Sequence, residues 1–264
     1  MALAVPVAPV RGSAVVWTLV TAAILVQIAY PLMPDAWRTE VTVTSVVVFF
    51  LAAVADAARV HGPAGAAVLV AVAGGGGLAA EAVGVATGLP FGHYAYTGTL
   101  GPELFGVPVV VPLAWVMMAW PALVVARTLA VGTVAVVAVG AVALTTWDVF
   151  LDPQMVDAGH WTWFDSAPGL PLIPDIPWTN YLGWLIVSLM IMAVLNRALR
   201  REATPSAPAA ALYLWVYFSS VLAHAAFFGL PGSALIGALL MGAVAVPFAV
   251  ALTRRHRDGG KVAA

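Results

Sequence analysis

The chain has 264 residues, of which 62% are hydrophobic and only 9% charged, and its mean hydropathy is +1.00; this is the composition of a polytopic membrane protein. It contains no cysteine, which excludes disulfides, iron–sulfur ligation and thiol nucleophiles. A net charge of −1 gives no basis for binding nucleic acid.

Apolar runs near the ~20 residues needed to cross a bilayer fall at about 14–34, 41–60, 64–87, 108–127, 129–151, 178–197, 209–230 and 232–252. The expected fold is therefore all-α: a polytopic integral membrane helix bundle of about eight transmembrane helices, one transmembrane domain over residues 1–264, ending in a basic cytoplasmic tail at 253–264. The first run follows Arg11 and is too long for a signal-peptide core, so it reads as a retained helix. Basic residues collect in short cytoplasmic loops. Eight spans put Arg59, Arg127, Arg197, Arg200, Arg201, Arg11 and the tail on one side and leave only Arg38 on the other. That asymmetry predicts a cell-membrane protein with both termini cytoplasmic, the lipid bilayer its surroundings, and the long connections 88–107 and 152–177 on the opposite side.

In chain order, Asp56 stands three residues before Arg59 and is expected to pair with it locally. The third run holds four consecutive glycines at 74–77, read either as a close helix-packing surface or as a groove for a long flat ligand. Glu81 follows near the non-cytoplasmic end. The connection 88–107 is rich in Gly and Pro yet carries His93, Tyr94, Tyr96 and Glu103, more than a plain connector needs. Trp115, Met117, Met118 and Trp120 recur at helical spacing in the fourth run, a pattern of packing or lipid contact.

The stretch 144–163, LTTWDVFLDPQMVDAGHWTW, is the centre of the reading. Asp148 and Asp152 are four residues apart, so a helix puts both carboxyl groups on one face, and acids at the edge of hydrocarbon point to function. Pro153 is expected to end that helix. The alternative is a solvated helix end anchored by Trp147, Trp161 and Trp163. Asp157, His160, Asp165 and Asp175 make the following loop acidic and are expected to be mostly solvated. Asn180 opens the sixth span as a cap or a cavity-lining group, and His224 lies in the outer half of the seventh.

Glu81, Asp148, Asp152, Asn180 and His224 share one depth, level with the loop that bears His93, Tyr94 and Tyr96. Together they predict a polar pocket with apolar walls. A buried carboxylic acid kept protonated can serve as a general acid. With aromatic faces to stabilise a carbocation and with bulk water excluded, it can protonate an isolated alkene. Metal binding has weak support, because a DxxxD pair with scattered His lacks a close-set ligand motif. A retinal Schiff base is excluded, since the only lysine is Lys261 in the tail. The glycine run has no counterpart in a second half, which speaks against a transporter of inverted repeats.

Three blocks then carry a resemblance: 90–111 (PFGHYAYTGTLGPELFGVPVVV) continuing into PLAWVMMAWPALVVAR, 144–163 with its TWDVFLDPQMV core and WTW ending, and 176–183 (IPWTNYLG). They resemble the carotenoid biosynthesis membrane-protein family that includes the CruF-type carotenoid hydratases. The resemblance implies a cofactor-independent hydro-lyase that adds water to the terminal double bond of an acyclic carotenoid end, on C40 substrates or C50 bacterioruberin precursors, and leaves room for other carotenoid-pathway membrane enzymes as partners. On that basis Asp148 or Asp152 donates the proton, Glu81 or the other aspartate orients water, and His93, Tyr94, Tyr96, Trp147, Asn180 and His224 shape the substrate pocket. A carotenoid cyclase would start with the same protonation and close a ring instead, and a non-catalytic carotenoid-binding protein would keep the pocket without needing the acids.

Overall fold

The computed structural model describes residues 12–164, 167–202 and 204–262; Arg11 and Asp165 lie outside the described residues. The helices are α1 (Gly12–Ala29), α2 (Asp35–Leu69), α3 (Gly75–Thr87), α4 (Val110–Leu129), α5 (Thr133–Asp157), α6 (Trp178–Ala198), α7 (Ala207–Ala226) and α8 (Pro231–Val262). Six short strands occupy the loops: β1 (Tyr94–Tyr96), β2 (Glu103–Leu104), β3 (Val107–Pro108), β4 (Trp161–Trp163), β5 (Gly169–Leu170) and β6 (Ile173–Pro177). The chain is thus a membrane helix bundle, as its composition requires.

Seven helical segments among the described residues are long and apolar enough to cross a membrane, and one of them, Asp35–Thr87, runs for 53 residues. At ~1.5 Å per residue that length is far more than one crossing uses. The chain leaves helical geometry at Gly62 (φ 74, ψ 173), followed by Pro63, a left-handed glycine and a helix-breaking proline in succession. A π-helical turn at Val70–Gly74 then leads into α3. The break at Gly62 divides this segment into the two crossings that the sequence places at 41–60 and 64–87, which accounts for both seven continuous helices and about eight spans.

Helix α4 is the centre of the bundle. It is apolar on every side, and all its residues from Trp115 to Arg127 are buried, as expected of a helix surrounded by others. Helices α2, α3, α5, α6, α7 and α8 pack against it. Met118 and Trp120 are fully buried, so the aromatic and methionine stripe is protein packing and not lipid contact. Of the glycines at 74–77, the first and last serve close packing. A Cβ at Gly77 would lie 2.5 Å from Trp115 Cγ, and one at Gly74 3.1 Å from Val116.

The two ends of the bundle differ in character. At one, the Arg127 guanidinium donates to the backbone oxygens of Asn196, Leu199 and Arg200 and to Glu202 Oε1 at 3.0 Å, while His61 Nε2 lies 2.6 Å from the same carboxylate oxygen. These bonds satisfy carbonyls that the last turn of α6 leaves open. Asp56 pairs with Arg59 at 2.7 Å as the spacing predicts, and also accepts from Trp120 Nε1 and Ser206 Oγ. At the other end lie the two long connections and the Arg38–Asp35 pair.

Candidate active site

The site is built on α3, α5 and α6 and closed by the loops above them. On α3, Gly77, Glu81 and Gly84 are spaced four and three residues apart and so share one face. The missing Cβ at Gly77 admits the Trp115 ring, and that at Gly84 admits Tyr94, whose hydroxyl would lie 2.9 Å from an added Cβ. Small residues on either side of the acid therefore bring its donors within reach. Glu81 Oε2 accepts from Tyr94 at 2.5 Å and Tyr96 at 2.9 Å, and Oε1 accepts from Trp115 Nε1 at 3.1 Å. Burial, reinforced by the Glu81 charge, pushes both phenols above their ordinary range, so Tyr94 and Tyr96 act as donors.

Opposite stand the aspartates of α5. Helix α5 does not stop at Pro153; it runs on to Asp157 with the proline inside it, because proline removes only its own N–H bond and the four residues beyond it continue the helix. Asp148 and Asp152 are both buried. One amide serves both: Asn180 Nδ2 donates to Asp148 Oδ2 at 2.8 Å and to Asp152 Oδ2. Asp152 Oδ1 further accepts from Trp161 Nε1 at 3.2 Å, whereas Asp148 Oδ1 has no hydrogen-bond partner among the described residues. Asn180 thus bridges the two carboxyl groups, and its side chain does not cap α6.

The loops reach these acids through a three-residue antiparallel ladder, in which Tyr94 pairs with Trp163 and Tyr96 with Trp161. Residues two apart on a strand point the same way, so all four rings face the acids. Tyr94 stacks on Trp163 with centroids 5.6 Å apart, and Tyr96 meets Trp161 edge-on. Below them Trp115 and Trp184 stack at 3.9 Å. The cavity measures about 590 Å³ with its opening included, and Glu81, Asp152 and Asn180 are among its walls with Phe91 and these aromatic residues.

Several residues expected at the pocket lie away from its walls. Asp148 is not among the residues lining the cavity; it lies behind Asn180. His93 is exposed, its ring packed over Gly88, and it does not line the cavity. Trp147 touches Trp184 edge-on but faces a second cavity. His224 bonds Ser233 Oγ at 2.7 Å between the rings of Phe150 and Phe228, away from the acids, because α7 packs on α8 and not on α3. His160, expected to be solvated, is buried with Nδ1 2.8 Å from Thr99, and burial lowers its pKa. Conversely, Trp115 and Trp161, expected to be packing and interfacial residues, donate to the acids, and Trp184, not singled out in the sequence, stacks on Trp115 in the cavity wall.

The profile of the carotenoid biosynthesis protein family matches residues 40–244, a stretch that contains every one of these side chains. Among curated proteins, a bisanhydrobacterioruberin hydratase of Haloarcula japonica is 34% identical over 112 residues, which is 40% of this chain and 36% of that protein. The chain therefore spans little more than a third of the length of this relative. No solved structure matches it. With most of its length covered by the family profile, the chain belongs to the carotenoid biosynthesis protein family.

Proposed function

We propose that this protein hydrates the terminal double bond of an acyclic carotenoid end group, with Asp152 as proton donor and Glu81 as the group that orients water. The observation that carries this reading is the pair of buried aspartates joined by Asn180, with one of them at the wall of an aromatic cavity and a third carboxyl group across it. Two buried carboxyl groups served by one neutral amide and one indole lack a cation to balance two charges, and a retained proton supplies that balance. Asp152 delivers this proton to the inner, hydrogen-bearing carbon of the terminal double bond; the π bond breaks, a C–H bond forms and a tertiary carbocation remains on the terminal, dimethyl-bearing carbon. Trp115, Trp184, Trp161 and Trp163 present π faces to that cation. Glu81 Oε1 accepts one bond, from Trp115, leaving a lone pair for water. The water oxygen forms the C–O bond, its proton passes to Glu81, and Glu81 gives up that proton as Asp152 regains one, by way of water, so that both carboxyl groups are reset before the next turnover.

Sequence similarity to a hydratase agrees with this outcome. We further place the arginine-bearing end in the cytoplasm of a cell-membrane protein, on the asymmetry of its basic residues, and read residues 1–264 as one transmembrane domain with a basic tail. The test is expression in a bacterium that accumulates acyclic-ended carotenoids, followed by chromatography and mass spectrometry of the pigments. A product heavier by one water supports the proposal. An isomer of unchanged mass with a new ring makes the protein a cyclase, and unchanged pigments across several acyclic substrates reduce it to a binding protein.

A further inference from the structure

The acid cavity is too small for a long polyene, and a larger space adjoins it. A second cavity of about 1410 Å³, its mouth included, lies between the end of α1, α2, α5 and α7. Thr42, Val46, Leu151 and Met155 belong to the walls of both cavities, so one layer of side chains separates them. Two of the four sit on α5 in the turns that carry Asp148 and Asp152. Met155 is an unbranched side chain that changes rotamer at little cost.

The second cavity is walled by Trp147, Phe150, Trp215 and Phe228. At its mouth Ile28, Leu32, Phe218, Leu222 and Phe227 are exposed, Leu222 by 61% and Phe218 by 59%. In a membrane bundle these apolar residues face lipid, so the mouth opens sideways into the bilayer between α1 and α7. The indole of Trp215 is held across this space by Gln27 Oε1 at 2.7 Å, which fixes an aromatic plane in the wall.

We infer that this second cavity is the binding site for the polyene, which enters from lipid between α1 and α7, rests along the aromatic wall and passes only its end group across the Thr42–Met155 layer to Asp152 and Glu81. The inference rests on the proposed carotenoid substrate, and it divides recognition into two parts. The acid cavity reads the end group, and the second cavity reads the length and stiffness of the chain behind it. Trp147, placed by the sequence in the substrate pocket, then contacts the polyene and not the reacting bond.

The experiment uses the full chain purified in detergent from cells that make an acyclic carotenoid, with retained pigment measured by visible absorption and hydrated product by mass spectrometry. Ser219→Trp and Ser45→Trp, on α7 and α2, each place an indole in the second cavity without touching an acid; Ser219→Ala leaves it open. Retained pigment is expected to fall at least tenfold in both Trp variants and to stay unchanged in Ser219→Ala. A short acyclic isoprenoid with the same terminal double bond needs only the acid cavity, and both Trp variants should hydrate it as the unaltered protein does. Pigment retained by correctly assembled Trp variants, or by none of the variants including the unaltered chain, overturns the inference. Pigment retained by the unaltered chain and lost from the Trp variants, with no hydrated product from any of them, leaves the polyene site standing and overturns the hydratase reading instead.

Discussion

Replacing Asp152 by Asn separates the two aspartates. The amide has nearly the shape of the carboxyl group but no acidic proton. Its single carbonyl oxygen can accept from either Asn180 or Trp161, which now address the two oxygens of Asp152, so one of those bonds is lost. A lost bond of this kind costs about 1 kcal/mol of stability, too little to unfold the bundle. A positioned general acid, by contrast, is worth ~10²- to 10⁴-fold in rate, or about 2.7–5.5 kcal/mol of barrier. Asp148→Asn keeps an oxygen for Asn180 and alters a group behind the cavity wall, so its loss of rate is expected to be about tenfold or less, as for a residue acting only through a hydrogen bond. Turnover of an acyclic carotenoid in membranes, normalised to protein by immunoblot, distinguishes the two. Full activity in both variants would remove the acid mechanism, and a larger loss in Asp148→Asn than in Asp152→Asn would reverse the roles assigned to them.

Other changes bear on the supports of the site. Gly77→Ala sets a methyl group 2.5 Å from Trp115 Cγ; overpacking of this sort costs ~1–3 kcal/mol, and the displaced indole should lose its bond to Glu81, seen as a lower thermal midpoint and slower turnover together. Arg127→Gln leaves Glu202 with His61 alone and takes from the end of α6 its charged donor; with one partner kept, the cost falls below the ~3–5 kcal/mol of a fully broken buried pair, and the SDS unfolding midpoint should fall while pigment recognition by the folded fraction is unchanged. His160 has its pKa lowered by burial, so the folded protein binds fewer protons there than the unfolded chain does. The stability from keeping it neutral is complete above the unfolded pKa and declines as pH falls below it. Acid unfolding followed by tryptophan fluorescence should be less steep in His160→Asn, and an unchanged slope would show that His160 contributes nothing to it.

The helical architecture was legible because each crossing demands a long apolar run, and the break at Gly62 was marked by the charge pattern before any geometry. The acids were legible for the same reason: Glu81, Asp148 and Asp152 are conspicuous where few residues are charged. Their partners were not. An indole nitrogen looks identical in sequence whether it meets lipid, as read for Trp161, or a carboxylate, as found. Depth along a span also says nothing about rotation around it, which is why His224 shares a level with the acids yet packs against α8. The loop sequences do carry one signal of their pairing. The loops carry YAY and WTW, both alternating with period two and both preceded by Gly-His, the pattern of strands that pair.

That pairing explains why the acids and the loops must be considered together. The carboxyl groups come from helices fixed in the bundle, but three of the bonds that hold them, from Tyr94, Tyr96 and Trp161, come from the ladder above. A one-residue slip in a ladder turns every side chain to the opposite face, so the register of three residue pairs decides whether Glu81 and Asp152 are held or left without these donors. Backbone bonds from Thr97 to His160 and from Phe164 to His93 flank the ladder at both ends and oppose such a slip. The same rings that donate to the acids also roof the cavity, so holding the carboxyl groups and excluding bulk water are achieved by one set of contacts. The proposed hydration needs both at once, because a carboxyl group open to bulk water gives its proton to solvent and not to an alkene.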